Sequence, residues 1–220
     1  MKFDLHIHSA YSRDASASAI EIVRKCKSLG LDGLAITDHN EIKGALEAAK
    51  VATAEGIIVV RGVEVSAEEG HVLALGVGEL IPKGLSVADT VQRIRAAGGI
   101  AVAAHPSRFP SGIGAKRTMA LDLDAIEVLN GGSSRRSNAR AREMAEHRGL
   151  PGVGGSDAHG IEQAGKAWTE IDAASSEEGV IQAIRAGKCT VGGRSRTVSE
   201  GVLYSLETFV EWIRGDLRRL

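Results

Sequence analysis

Seven histidines punctuate this 220-residue chain, and all but His147 fall at or near the end of a short apolar run. In Asp4-Leu5-His6-Ile7-His8, strand alternation places His6 and His8 on one face, about 7 Å apart at their Cα atoms. Two neutral imidazoles at that spacing can share a metal ion or bind two adjacent ones. Thr37-Asp38-His39 ends a second run with an imidazole, next to a carboxylate that can orient a ring nitrogen. Gly62-Val63-Glu64-Val65-Ser66 carries Glu64 on an otherwise apolar strand, where an unpaired carboxylate would be costly without a cation or strong donors. His71 opens a further run, His105 closes Ala103-Ala104-His105, and Asp157 and His159 follow the small residues Gly155 and Ser156. Asp14 adds a third carboxylate. His147 lies inside a polar helical stretch and reads as a surface residue.

Imidazole and carboxylate without thiolate suit zinc, manganese, iron or cobalt rather than calcium. The two cysteines, Cys26 and Cys189, are too few and too far apart for a disulfide framework or a thiolate zinc site. His6, His8, His39, His71, His105 and His159 with Asp14, Glu64 and Asp157 make nine potential ligands, more than one ion takes, so two or three metals are implied. Metals about 3.5–4 Å apart clamp a displacement at phosphorus and generate hydroxide near neutral pH. Hydrolysis is the natural reaction class.

The elements that must present these groups alternate between short strands and helices, the pattern of β-α units around a parallel sheet. Strands are predicted over Phe3–His8, Gly33–Thr37, Ile57–Val65, His71–Val77, Ile100–Ala104, Ala125–Leu129 and Gly152–Gly155. Helices are predicted over Ala17–Ser28, Ile42–Ala54, Ala88–Ala97, Arg136–Arg148 and Glu177–Ala186. A capping box is expected in Ser175-Ser176-Glu177-Glu178, a cap at Ser86 with Asp89, and C-terminal glycines at Gly30 and Gly56. Phe209–Leu220 reads as a terminal amphipathic helix with Arg214, Arg218 and Arg219 outward. If the strands run parallel, their C-terminal ends form one ligand-bearing rim, and seven units favour a small barrel over an open sheet.

Other functions are disfavoured. Lys plus Arg number 27 and Asp plus Glu 28, a net charge of −1, which argues against a stable grip on duplex nucleic acid. Seven aromatic residues leave little to stack a single strand on. No apolar stretch reaches the roughly 18 residues of a membrane span, and the first residues lack a signal peptide's apolar run, so a cytoplasmic protein is expected. The chain reads as one domain over residues 1–220, with 200–220 as a C-terminal helix.

Asp4-Leu5-His6-Ile7-His8-Ser9 with Tyr11-Ser12-Arg13-Asp14, then Ile36-Thr37-Asp38-His39, Gly62-Val63-Glu64, Ala104-His105-Pro106 and Gly155-Ser156-Asp157-Ala158-His159 resemble the PHP (polymerase and histidinol phosphatase) family. The resemblance runs in order over roughly residues 3 to 196. It implies a distorted (βα)7, TIM-like barrel with up to three divalent metals (manganese, iron or zinc) at the strand C-termini. Carried over, His6, His8, Glu64 and Asp157 would hold the first, Glu64 bridging to a second completed by His71 and His105. Asp14, His39 and His159 would hold the third; Asp14, where some members have histidine, would tilt the site towards manganese or iron.

The implied activity is a metal-dependent phosphoesterase acting on a small phosphorylated metabolite or nucleotide, with Glu64, Asp157 and His159 in catalytic positions. The alternatives are a phosphodiesterase or 3′-5′ exonuclease on short oligonucleotides, and a histidinol-phosphate phosphatase. Among several rim arginines, Arg108 included, Arg194 and Arg196 after Gly192-Gly193 are the expected phosphate clamp. Phe109–Thr118, with Pro110 and two glycines, is expected to form a mobile cover. The sequence carries no signal for an oligomeric state.

Overall fold

A computed structural model describes residues 1–172, 175–197, 199 and 200. The helix expected over 200–220 therefore lies outside the described residues. β1 (Lys2–Ile7) runs parallel to β2 (Gly33–Ile36), which runs parallel to β3 (Ile58–Ala67). The connections are α1 (Ala19–Ser28) and α2 (Lys43–Glu55). α1 starts two residues later than its apolar periodicity suggests, because Ser18 caps it. The Ser18 hydroxyl accepts from the Glu21 amide, and the Glu21 carboxylate accepts from the Ser18 amide. α2 stops at Gly56, whose φ of 61° suits a residue without Cβ.

The expected parallel order breaks at β4 (Gly70–Leu75), which pairs antiparallel with both β3 and β5 (Ile100–Ala103). Only Glu68 and Glu69 separate β3 from β4, enough for a hairpin and far short of the dozen residues a parallel crossover needs. α3 (Val87–Ala96), capped by Ser86, links β4 to β5. β6 (Ala125–Asn130) and β7 (Gly152–Gly155) restore the parallel order, with α4 (Gly114–Ala120) before β6 and α5 (Arg135–Arg148) between the two strands.

Two strands the sequence reading did not anticipate follow. β8 (Ala167–Ile171) pairs antiparallel with β1, and β9 (Cys189–Gly193) with β8, across α6 (Glu177–Arg185). Ser176 caps α6 by accepting from the Gly179 amide, so the capping box expected on Glu178 does not form. Glu177 instead holds the Arg61 amide and guanidinium at 2.7 Å each, tying α6 to β3.

The nine strands form one sheet in the order β7-β6-β5-β4-β3-β2-β1-β8-β9. Beyond the short pairing with β8, the C-terminal half of β1 meets the chain leaving β7: His8 donates to the Ala158 carbonyl at 2.9 Å and Asp157 to the His6 carbonyl at 2.7 Å. The sheet is thereby curled into a nearly closed barrel. Its interior is an apolar cluster that includes Phe3, Leu5, Val60, Leu73, Leu75, Ile100, Val102 and Val153, together with Val180, Ile181 and Ile184 of α6. Burying each of the larger side chains is worth about 1.5–3 kcal/mol. Val59, Val63, Val72, Ile94 and Ile126 belong to the second cluster, between sheet and helices.

The register of β1 shifts between Asp4 and Ile7. Phe3 and Leu5 join the interior cluster and Ile7 the helix-side one, so the irregularity turns His6 and His8 inward above an apolar floor. Without it, alternation would send His6 to the face opposite Leu5.

Candidate metal centre

Six elements deliver the predicted ligands to one end of the barrel. His6 and His8 come from β1 and the residue after it, His39 follows β2, Glu64 is on β3, and His105 follows β5. His71 stands at the start of β4, not at its end. Because the hairpin reverses β4, its second residue, His71, reaches the rim occupied by the last residues of the parallel strands. Asp157 and His159 follow β7, and Asp14 lies between β1 and α1. His105 and Asp157 have φ of 29° and 54°, in the left-handed region that costs a residue with Cβ of order 1–3 kcal/mol. Backbone hydrogen bonds hold both: the His105 amide on Glu127 Oε2 at 2.7 Å and the Asp157 amide on the His6 carbonyl at 2.7 Å.

At the centre, His6 Nε2 and His8 Nε2 are 3.2 Å apart. Each lies 3.2–3.3 Å from Glu64 Oε2 and 3.3 Å from Asp157 Oδ1. Both carboxylate oxygens are buried and take no hydrogen bond. Around Glu64 Oε1 lie His71 Nδ1 at 2.8 Å and His105 Nε2 at 2.9 Å. A more open group surrounds Asp14, whose Oδ2 is 3.5 Å from His39 Nε2 and 3.3 Å from His159 Nε2. All nine predicted ligands therefore converge, with Glu64 as hub. His147 is exposed on α5, as expected.

The surrounding hydrogen bonds set the tautomers. Glu127 Oε1 lies 2.8 Å from His6 Nδ1, which therefore keeps its proton, so that the ring in its neutral form turns an Nε2 lone pair to the cluster. Ser12 Oγ donates to Asp38 and accepts from the His39 amide at 2.9 Å, so it accepts from His8 Nδ1 at 3.2 Å as well. His8 Nε2 is then also a free lone pair. Asp38, read from sequence as orienting a ring directly, acts through Ser12 and also holds the Ser9 amide and hydroxyl.

Burial alone would raise the Glu64 and Asp157 carboxyls. His6 facing Glu64, and Arg108 and His6 facing Asp157, hold them well below the usual range. Burial pushes the His6 ring down, but Asp157, Glu127 and Glu64 together lift it well above its ordinary value. A cation would meet the same negative potential.

A cavity of about 650 Å³ opens over the cluster. Arg108 reaches into it with Nη1 2.5 Å from Asp157 Oδ2, and Lys166 and Arg196 line its wall. Arg196 is set there by the hydrogen bond that its backbone N–H donates to the Ser133 carbonyl at 2.9 Å. Arg194 does not line the cavity; it forms a two-bonded pair at 2.8 Å per bond with Glu200, which does line it and also takes Lys166 at 2.9 Å. The sequence reading missed Glu127 and Asn130. Asn130 Nδ2 donates to Glu127 at 3.0 Å and Asp157 at 3.2 Å. Glu127 carries the same signal as Glu64, a lone carboxylate on an apolar strand.

The segment expected as a mobile cover is anchored. Its second half is α4, the Ser111 carbonyl accepts from the His71 amide at 2.8 Å, and Ile113 is buried.

A PHP-domain family profile matches residues 4–116, half of the chain, and a PHP-associated profile matches residues 135–189. The chain belongs to the PHP family. Membership makes it a metal-dependent hydrolase by class, the class its ligand set indicates. An uncharacterized protein of Methanocaldococcus jannaschii is 40% identical over 141 residues, which is 59% of this chain and 82% of that one. A phosphoribosyl 1,2-cyclic phosphate 1,2-diphosphodiesterase of Eggerthella lenta is 38% identical over 85 residues, 36% of this chain and 32% of its own length. In fold, the PHP chain is similar to a two-domain protein of Bacteroides vulgatus described as containing a predicted PHP-like metal-dependent phosphoesterase. The TM-score is 0.76 at 20% identity, over 88% of this chain and 65% of that one.

Proposed function

We propose that this PHP protein hydrolyses phosphate esters of small metabolites or nucleotides, using two to three divalent ions (manganese, iron or zinc) held by the nine convergent side chains. The observation that carries the reading is the spacing around the two unbonded carboxylate oxygens. Five of the six separations among the four ligand atoms of His6, His8, Glu64 and Asp157 are 3.2–3.3 Å, the edge of a tetrahedron whose centre lies about 2.0 Å from each corner, the Zn–N and Zn–O bond length.

His6, His8, Glu64 and Asp157 would hold one ion. Glu64 Oε1 with His71 and His105 would hold a second, and Asp14, His39 and His159 a more exposed third. Bound ions of this kind lower the pKa of water and neutralise phosphoryl oxygens.

The chain's own groups do the rest. Arg108, Lys166 and Arg196 bring positive charge to the cavity wall, and a guanidinium can take two phosphoryl oxygens at once. Arg108 is braced by Asp157 and by Ser111, whose Oγ is 3.1 Å from its Nε, so it is oriented before substrate arrives. His159 donates Nδ1–H to the Asp157 carbonyl at 3.1 Å and pairs Nε2 with Asp14. We assign the proton for the departing alkoxide to a water held beside this pair, since Nε2 and Asp14 would themselves face an ion.

The Eggerthella relative favours one second reading, a phosphodiesterase. Elemental analysis of chelator-free protein, followed by phosphate release from mono- and diesters, tests both. Two to three equivalents of metal with monoester turnover are expected. Diester turnover alone transfers the assignment to the second reading, and protein that neither holds nor regains metal refutes both.

A further inference from the structure

Beside the metal cavity lies a second one of about 540 Å³, between the segment after β5, α4 and α5, within the size range of small-ligand sites. Its floor is apolar: Pro106, Met119 and the buried Met144. Its far edge carries Arg140, Glu143 and His147. Arg108 and Phe109 line both cavities, so the two adjoin at the residue that braces Asp157.

Phe109 is 95% exposed, while the next most exposed large apolar side chain among the described residues, Leu80, reaches 49%. A phenyl ring held in water forgoes about 1.5–3 kcal/mol of burial free energy. It does so here at the junction of two cavities, on a segment whose neighbours Ser111 and Ile113 are anchored.

The geometry points to this groove as the subsite for a planar aromatic ring, a nucleobase or its equivalent, carried by the leaving group of the phosphate ester. The inference rests on the phosphoesterase reading for the position of the phosphate, and on the groove for the rest. Two thioethers offer polarisable contacts to a ring edge. Phe109 offers a face, and Arg140 a guanidinium that stacks on aromatic planes. Arg140, Glu143 and His147 together supply donors and an acceptor for ring nitrogens. An aliphatic chain would use the methionines but leave these polar groups unpaired. A single exposed phenyl at the junction suits one base, not a stacked run, in keeping with a small substrate.

Adenosine 5′-phosphate and ribose 5-phosphate share a primary alkoxide leaving group and differ in the base, so they serve as probes. Wild-type protein should favour the adenosine ester in kcat/KM by about tenfold, the scale of one base–aromatic stack. Phe109→Ala, at an exposed position, should bring that ratio towards one. Ala115→Trp, which fills the groove from exposed α4, should do the same. Saturation transfer from the methionine methyls to the adenine protons of adenosine needs no turnover. It should appear in wild type and weaken in both variants.

Equal kcat/KM for the two esters, a ratio the variants do not alter, or absent transfer would overturn the inference. So would light scattering that shows a dimer dispersed by Phe109→Ala, since a second copy would then be the occupant. Adenine transfer without phosphate release from any ester would uphold the groove and refute the phosphoesterase reading.

Discussion

Glu127→Gln is the sharpest perturbation the centre offers, because it keeps shape and removes one acceptor. Three donors meet this buried carboxylate: His6 Nδ1–H at 2.8 Å on one oxygen, and the His105 amide at 2.7 Å with Asn130 Nδ2 at 3.0 Å on the other. An amide has one oxygen for them. If its NH2 faced the His105 amide, two donors would oppose each other in the interior, at about 1–3 kcal/mol for the unsatisfied group. The amide therefore turns its NH2 to His6, whose Nδ1 becomes an acceptor, and the ring proton moves to Nε2. That proton then points at Glu64 and Asp157, where a lone pair is required. Loss of a carboxylate behind a ligating histidine typically costs 10–100-fold in metal affinity. At about 1.4 kcal/mol per tenfold, this corresponds to roughly 1.4–2.8 kcal/mol. Competition with a chromogenic chelator reads the affinity, and long-range 15N spectra of the imidazoles read the His6 tautomer, which a merely structural role would not move. Affinity within twofold of wild type, with the proton still on Nδ1, would refute the reasoning.

Other consequences follow from the same geometry. A Cβ on Gly155 would stand 2.5 Å from His6 Cβ and 2.6 Å from the His6 amide nitrogen, so Gly155→Ala must displace β1. Overpacking of this kind costs about 1–3 kcal/mol, so Tm should fall by several degrees and bound metal should drop together; retention of both would contradict the packing account. Ions present at 100 times their Kd add about 2.7 kcal/mol, so chelation should lower Tm by roughly 5–10 °C, reversibly on adding metal. An identical Tm with and without metal would mean that the cluster binds none. His159→Gln should slow phosphate release most for alkyl esters and least for p-nitrophenyl phosphate, whose leaving group needs no proton. Equal losses on both would remove His159 from the proton transfer. Arg196→Ala should raise KM for phosphate esters more than Arg194→Ala, since Arg196 lines the cavity over the cluster and Arg194 does not; the reverse order would restore Arg194 as the clamp.

Much of the centre is legible in the chain because metal ligands are rare residue types placed against an apolar background. An imidazole or carboxylate at the end of a Val/Ile/Ala run announces itself, and six histidines at or near such ends imply one rim once the runs are strands of one sheet. Glu127 was legible by the rule that singles out Glu64. Even the reversal of β4 is present in the sequence, because the five residues between the strands predicted over Ile57–Val65 and His71–Val77 are too few for a parallel crossover.

Tertiary structure decided what depends on atoms distant in sequence. The register shift in β1, which turns His6 inward beside Leu5, follows from how β1 meets β2 on one side and the chain after β7 on the other. The tautomers of His6 and His8 depend on Glu127, 121 residues away, and on a Ser12 whose hydroxyl is already committed to Asp38. Which arginine lines the cavity was likewise not local. Arg194 and Arg196 look equivalent in the chain, but Arg194 pairs with Glu200, while the Ser133 carbonyl holds the Arg196 backbone at the cavity. Residue types and strand ends determine which groups can bind a metal; only the closed barrel determines the distances and proton positions at which they do so.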